Sequence, residues 1–256
     1  MGTVNSAAVY LNHEEASVFD GYIHKIADLL NNREVSMDPE FWHDRWRENR
    51  IGFHQQEFNT HLTQYWRKLG LSPGQGVFVP LCGKSHDLTW LDQQGHPVLG
   101  VEISEVAVKA YFEENGLQAQ QQHKDHCSLW YKDALKIICG DFFDLKPADL
   151  QDVKGVYDRA SLIALPIEYR QRYVQHLVTL LEKEVNILLV TLEYPQAEMQ
   201  GPPFSVTESE IEMLYHQYFN IEKVYDQDIL NMDENARFKS QGLTQMSEKV
   251  YLLTPL

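Results

Sequence analysis

Basic charge is scarce in this chain: 22 Lys and Arg stand against 37 Asp and Glu, a formal net charge of −15 with a pI near 5.1. A surface of that sign repels a phosphate backbone and an anionic bilayer, so neither nucleic acid nor a membrane is an expected partner. Cysteine is scarcer still. Cys82, Cys127 and Cys139 make an odd set without a Cys-x-x-Cys pair, so neither a disulfide framework nor a structural metal site is expected, and a reducing, cytoplasmic setting fits best. No apolar run approaches the roughly 18 residues that a membrane helix needs. The first 30 residues also lack a basic stretch followed by an apolar one, so the chain reads as neither secreted nor anchored. Internal repeats and low-complexity tracts are absent as well.

What is present is enough apolar mass, 43% of 256 residues, for one sizeable core. Residues 1–36 read as an extension whose apolar residues Val18, Tyr22 and Ile26 recur at helical spacing, one amphipathic helix packed on the main domain or on a neighbour. Met37 stands directly before the first strongly patterned segment, so residues 37–256 form the principal domain, and an alternative start at Met37 stays open. Asp38-Pro39-Glu40 has the cap, first-turn proline and first-turn acid of a helix start. Beyond it the rhythm is strand then helix, with strands expected at 77–81, 97–103, 134–139, 153–157 and 186–192. Helices are expected at 87–94, 105–115, 166–181 and 207–218. Two further strands, 221–225 and 249–254, have no apolar helix between them and must pair antiparallel. The expectation is an α/β, doubly wound, mostly parallel seven-stranded sheet with a terminal antiparallel hairpin.

In such folds ligands bind beyond the carboxyl ends of the strands, and four stretches fall there. Pro80-Leu81-Cys82-Gly83-Lys84-Ser85 ends the first strand, and Gly83 permits close backbone approach. Glu102 ends the second strand 19 positions after Gly83, the spacing at which an acid accepts hydrogen bonds from ribose hydroxyls. The first turn lacks the glycines that cradle a pyrophosphate, which favours S-adenosylmethionine over a dinucleotide. Asp141 and Phe142, in Gly140-Asp141-Phe142-Phe143, are placed for an adenine edge and face. Asp158 and Arg159 form a charged pair at the same edge, with Arg159 holding a carboxylate or the acceptor, or the two simply fixing their loop. His123, His126 and Cys127 lie in a polar stretch without metal-ligand spacing, and Cys82 and Cys139 read as buried small hydrophobes.

Eight segments in order, FWHDRW, IGFH, VPLCGKS, GVEIS, GDFFDL, YDRASLIALP, GPPFSV and EKVYLLT, resemble the thiopurine S-methyltransferase family from Phe41 to Leu253. The resemblance implies a Rossmann-like methyltransferase fold and S-adenosylmethionine as cofactor, with Trp46, Leu81, Glu102 and Arg159 in contact with it. It also places Trp42, Phe53, Asp141 and Phe142 around the pocket, and Arg237 of ARFKSQG near the acceptor. The activity implied is methyl transfer to the sulfur of a small aromatic or heterocyclic thiol. Asp158 is an optional base, and a monomer is expected because no apolar stripe beyond the first helix suggests a partner. The residues themselves leave open another small acceptor, such as oxygen, nitrogen, a halide or a selenium or tellurium oxyanion, and also a catalytically silent cofactor-binding protein. Trp46 with its helix and the loop Gly201 to Phe204 are the candidate lids, because Pro-Pro stiffens a closing loop.

Overall fold

Five short, mostly apolar runs buried over most of their length are satisfied side by side in the middle of a sheet. They are β1 (Gly76–Val79), β2 (Val98–Glu102), β5 (Leu135–Cys139), β6 (Val153–Arg159) and β7 (Asn186–Glu193). In the computed structural model, which describes residues 39–256 apart from Phe53 and Asp125, all four pairings within the order β5-β2-β1-β6-β7 are parallel. The amphipathic helix expected near the amino terminus, and Met37, lie outside the described residues.

The carboxyl-terminal pair is antiparallel as expected: β9 (Ser247–Pro255) inserts between β7 and β8 (Phe219–Asp228). The sheet has nine strands rather than seven. β3 (Gln120–His123) and β4 (Ser128–Lys132) add an antiparallel hairpin beyond β5, and between them the Lys124 N–H donates to Cys127 O at 2.9 Å. Every residue of β3 is polar and exposed, so it carries no apolar alternation and is held by backbone pairing alone. That explains why composition does not reveal it. Cys139, which pairs with Ser128 across this edge, is half-buried rather than fully buried, and Cys82 is buried as expected.

Alternation along the strands sorts side chains onto two faces. One face carries Val77, Val79, Tyr157, Leu188 and Val250 against the helices α2 (Thr60–Tyr65), α3 (Asp87–Gln93) and α4 (Glu105–Glu114). On the other, Phe78 stacks at 6.4 Å on Phe142, which packs at 4.9 Å on Tyr173 of α6 (Ile167–Leu180). The inward face of α6 is Tyr169, Arg170, Tyr173, Val174, Leu177 and Leu180, an i, i+3, i+4 stripe. The short helix α5 (Ser161–Ala164) precedes it, and α7 (Glu208–Tyr215) follows β7.

Chain order and strand order diverge between β1 and β6, because β1 leads to β2 and β5 on one side and the chain then crosses to β6 and β7 on the other. The divergence opens a crevice beyond the carboxyl ends of these two strands, where α/β sheets bind ligands. Among the described residues no helix is long and apolar enough to cross a membrane.

Candidate functional site

The crevice is built from the turn after β1 and the end of β6. Leu81 has φ 46° and Gly83 φ 55°, so the turn winds through the left-handed region twice. For Leu81 that conformation costs on the order of 1 kcal/mol, strain of a kind concentrated at functional loops. Between them Cys82 turns inward, toward the Cα of Gly100, where any side chain on β2 would collide with its sulfur. Burial pushes the Cys82 thiol well above its ordinary range, so it is a packing group rather than a nucleophile. Ser161 Oγ donates to Pro80 O at 3.2 Å, tying the turn after β1 to the start of α5.

Glu102 is buried, and its carboxylate accepts backbone N–H bonds from Gly83 at 2.9 Å and Ser104 at 2.8 Å. Its position is therefore set before any ligand arrives, with each oxygen keeping acceptor capacity. Burial raises its carboxyl from the ordinary 4.5 to about 7, against the opposing pull of the backbone donors of Ser104, Gly83 and Ile103.

Trp46, near the end of α1 (Pro39–Arg47), is 7% exposed and lies against Gly83, where a Cβ would come within 3.1 Å of its ring. Trp42, one turn earlier, is half-buried, meets Phe41 edge-on, and is not among the residues lining the crevice. Asp141 sits beside Glu102, since the Gly140 N–H donates to the Glu102 carbonyl. Its carboxylate accepts the Phe143 N–H at 2.9 Å and caps the following turn. Phe142 is 3% exposed among Phe78, Tyr173 and His176. It is a core residue beneath the α6 face and not a cover for a ligand in the crevice.

Arg159 lines the crevice, and the expected pair with Asp158 does not form. Successive residues of a strand point to opposite faces. Asp158 therefore faces α6, fully buried, where its Oδ2 accepts from Tyr173 Oη at 2.7 Å, and burial raises its carboxyl to about 6. It cannot reach an acceptor in the crevice as a base. The partner of Arg159 is Asp87, at 3.7 Å from its Nη1. Asp87, buried in the first turn of α3, also accepts from the Asn59 N–H at 2.8 Å and from Tyr157 Oη at 3.0 Å. In the sequence Asp87 is only the first residue of the helix expected at 87–94, and nothing local points to this role.

At the mouth, His54, Gln55, Lys84 and Ser85 complete the lining. Phe53 lies outside the described residues. Arg237, in α8 (Ala236–Ser240), is exposed and stacks over Phe238 at 4.4 Å. Its guanidinium also rests on Gly52, where a methyl group would collide with Nη1, so the segment between β8 and β9 meets the loop that borders the mouth. The loop at 201–204 is fastened: Phe204 N–H donates to Ile163 O, and Tyr194 Oη to Pro203 O, both at 2.6 Å. Of the residues singled out in the sequence, the crevice brings together Trp46, Leu81, Gly83 and Arg159, with Glu102 bonded to Gly83 and Asp141 adjoining it. Among the described residues no group of three His, Cys, Asp or Glu side chains is arranged to hold a metal ion.

Comparison with solved structures returns the same architecture. A SAM-dependent methyltransferase from Anabaena variabilis aligns over 85% of this chain and 95% of its own, with a TM-score of 0.56 and 14% identity. Burkholderia thailandensis 1,6-didemethyltoxoflavin-N1-methyltransferase aligns over 98% and 93%, with a TM-score of 0.55 and 14% identity. Sequence relatives are nearer. The thiopurine S-methyltransferase of Nitrosospira multiformis is 48% identical over 217 residues, 85% of this chain and 98% of the relative. That of Pseudomonas syringae pv. tomato is 45% identical over 217 residues, with the same shares covered. The family model described as thiopurine S-methyltransferase matches residues 37–255. With crevice, sheet order and sequence in agreement over that span, the chain belongs to the thiopurine S-methyltransferase family.

Proposed function

We propose that the protein is an S-adenosylmethionine-dependent methyltransferase that methylates the sulfur of a small aromatic or heterocyclic thiol, acting as a cytoplasmic monomer. The observation that carries this reading is the crevice between β1 and β6, with Glu102, Gly83 and Trp46 on one side and Arg159 on the other. The donor set fits the cofactor. Two carboxylate oxygens held by backbone N–H groups suit adjacent ribose hydroxyls, and an indole face beside a glycine suits a sulfonium cation. When bound, the cofactor supplies a methyl group already activated for displacement.

Glu102 holds the ribose, Leu81 and Gly83 present backbone, Trp46 walls the charged end, and Asp141 meets the adenine side. Arg159, steadied by Asp87 and aimed into the crevice, favours an anionic sulfur and excludes a cationic competitor. Alignment and exclusion of water are then most of what the protein has to add.

Calorimetric titration of S-adenosylmethionine, followed by methyl transfer to a mercaptopurine, tests the whole reading. Binding with turnover is expected, and absence of binding would overturn it. Arg159→Ala is expected to lower kcat/KM about 30-fold, corresponding to one charge-assisted hydrogen bond of about 2 kcal/mol. A variant with full turnover and full cofactor affinity would remove Arg159 from the machinery.

A further inference from the structure

Transfer to a thiol requires that the acceptor lose its proton, and most of the crevice's proton acceptors are already engaged. Asp158 is on the other face of the sheet. Asp87 accepts from Asn59 and Tyr157 and faces Arg159, and Glu102 is held by Gly83 and Ser104 on the donor side. His54 is different: it lines the crevice, is half-buried, and neither ring nitrogen is hydrogen-bonded to another described residue. Building on the methyltransferase reading above, we infer that His54 is the catalytic base that takes the proton of the acceptor thiol and releases it outward past His86.

The charges around His54 give the step its direction. Burial first, then Lys84, His86 and Arg159, hold the imidazole below its ordinary pKa, with Glu114 opposing, so it is neutral and able to accept a proton at neutral pH. Lys84 is itself tied to Glu114 at 2.6 Å. The acceptor's S–H proton moves to an imidazole nitrogen as the sulfur becomes a thiolate. A thiolate lone pair then forms the new S–C bond while the donor's methyl C–S bond breaks, its electron pair remaining on the donor sulfur as a neutral thioether. While the thiolate exists it offsets the imidazolium. Once the product is a neutral thioether that offset is gone, and the imidazolium is left among Lys84 and Arg159 with only Glu114, itself tied to Lys84, opposing them. Its proton is driven toward His86, whose ring centre is 5.4 Å away, and water. No oxidant or further reactant is needed.

The test compares two thiols at a pH between their ionisations: 4-nitrobenzenethiol, already a thiolate, and 4-methoxybenzenethiol, largely protonated. His54→Gln is expected to lose about tenfold more turnover on the protonated thiol than on the ionised one, less than the roughly hundredfold or more typical of general-base catalysis because an aromatic thiol ionises readily. Raising the pH until both thiols are ionised should abolish the difference. A second readout uses S-adenosylhomocysteine in place of the donor: ultraviolet absorbance of bound 4-methoxybenzenethiol should report thiolate at lower pH in the native protein than in His54→Gln or His54→Asn. Equal loss on both thiols, or thiolate absorbance that titrates identically in native and variant proteins, would overturn the inference and leave the methyltransferase reading standing. A native protein that methylates neither thiol would overturn both.

Discussion

Exchange of Arg170 for Met is expected to lower the stability of the protein by about 3–5 kcal/mol, the cost of removing one partner from a buried ion pair. Thermal melting should then fall by roughly 6–20 °C for a chain of this size. Arg170 is 1% exposed. Its Nε donates to the carbonyls of Leu162 and Leu165, and its Nη1 to Ser205 O and to both oxygens of Glu210. One side chain thereby fastens α5, which follows Arg159 and Ala160 directly, to the strand-to-helix loop before α7. Loss of the guanidinium leaves three carbonyls and a carboxylate without their donor. Burial already raises the Glu210 carboxyl above its ordinary value despite Arg170. Without the arginine it rises further, so the variant is penalised most at high pH, where the carboxylate must stay ionised, and least at acid pH, where it takes up a proton. Adding Glu210→Leu should recover part of the loss but not all, because the carbonyls of Leu165 and Ser205 lose their donor and that of Leu162 keeps only the Leu165 N–H. Urea denaturation of both variants at high and at acid pH checks this. A penalty under about 1 kcal/mol, or one that grows toward acid pH, would show that the ion pair is not what holds the loop.

The parallel core was legible because its strands are short, mostly apolar and mostly buried runs bounded by turn residues, and the site because Gly83 and Glu102 stand at the spacing of a nucleoside site. The edge hairpin of β3 and β4 was not. Gln120 to His123 can be recognised as a strand only through its partner, since nothing in four exposed polar side chains signals pairing. The site followed the same division. Residues whose roles depend on position at a strand end, Leu81, Gly83, Glu102 and Arg159, stood where expected. Errors arose where orientation decided the outcome. Asp158 and Arg159 look like a pair when written side by side, yet the two-residue period of a strand sends them to opposite faces. Phe142 looks like a cover in a loop but is drawn into the core by Phe78 and Tyr173. Asp87, the acid that steadies Arg159, could not be found locally, because its partners Asn59 and Tyr157 lie 28 and 70 residues away.

Glu102→Gln is expected to weaken S-adenosylmethionine binding by about a hundredfold to a thousandfold, from ~3–4 kcal/mol of charge-assisted bonds to two ribose hydroxyls of which the amide keeps only a part. The more discriminating effect is on pH. In the ligand-free protein burial holds the Glu102 carboxyl at about 7, while the site binds ribose through the carboxylate. Below that pH binding must first displace a proton, so native affinity should fall about tenfold for each pH unit between 7 and 5, and the Gln variant should show no such slope. Stability responds in the opposite sense. A carboxyl whose folded pKa is raised favours the folded state while protonated, and that contribution is lost as pH rises from about 4.5 through 7. Relative to the variant, the ligand-free native protein should therefore lose on the order of 3 kcal/mol between about pH 5 and pH 8. Asp158, raised to about 6 by burial, titrates in the same direction in both proteins and cancels from the comparison. A protonated carboxyl and an amide are near isosteres, so the native protein at pH 5 should approach the variant in both affinity and melting temperature. Calorimetry and thermal melts across this range decide it: parallel pH profiles for native and variant would mean that Glu102 neither carries the buried proton nor meets the ribose as an anion.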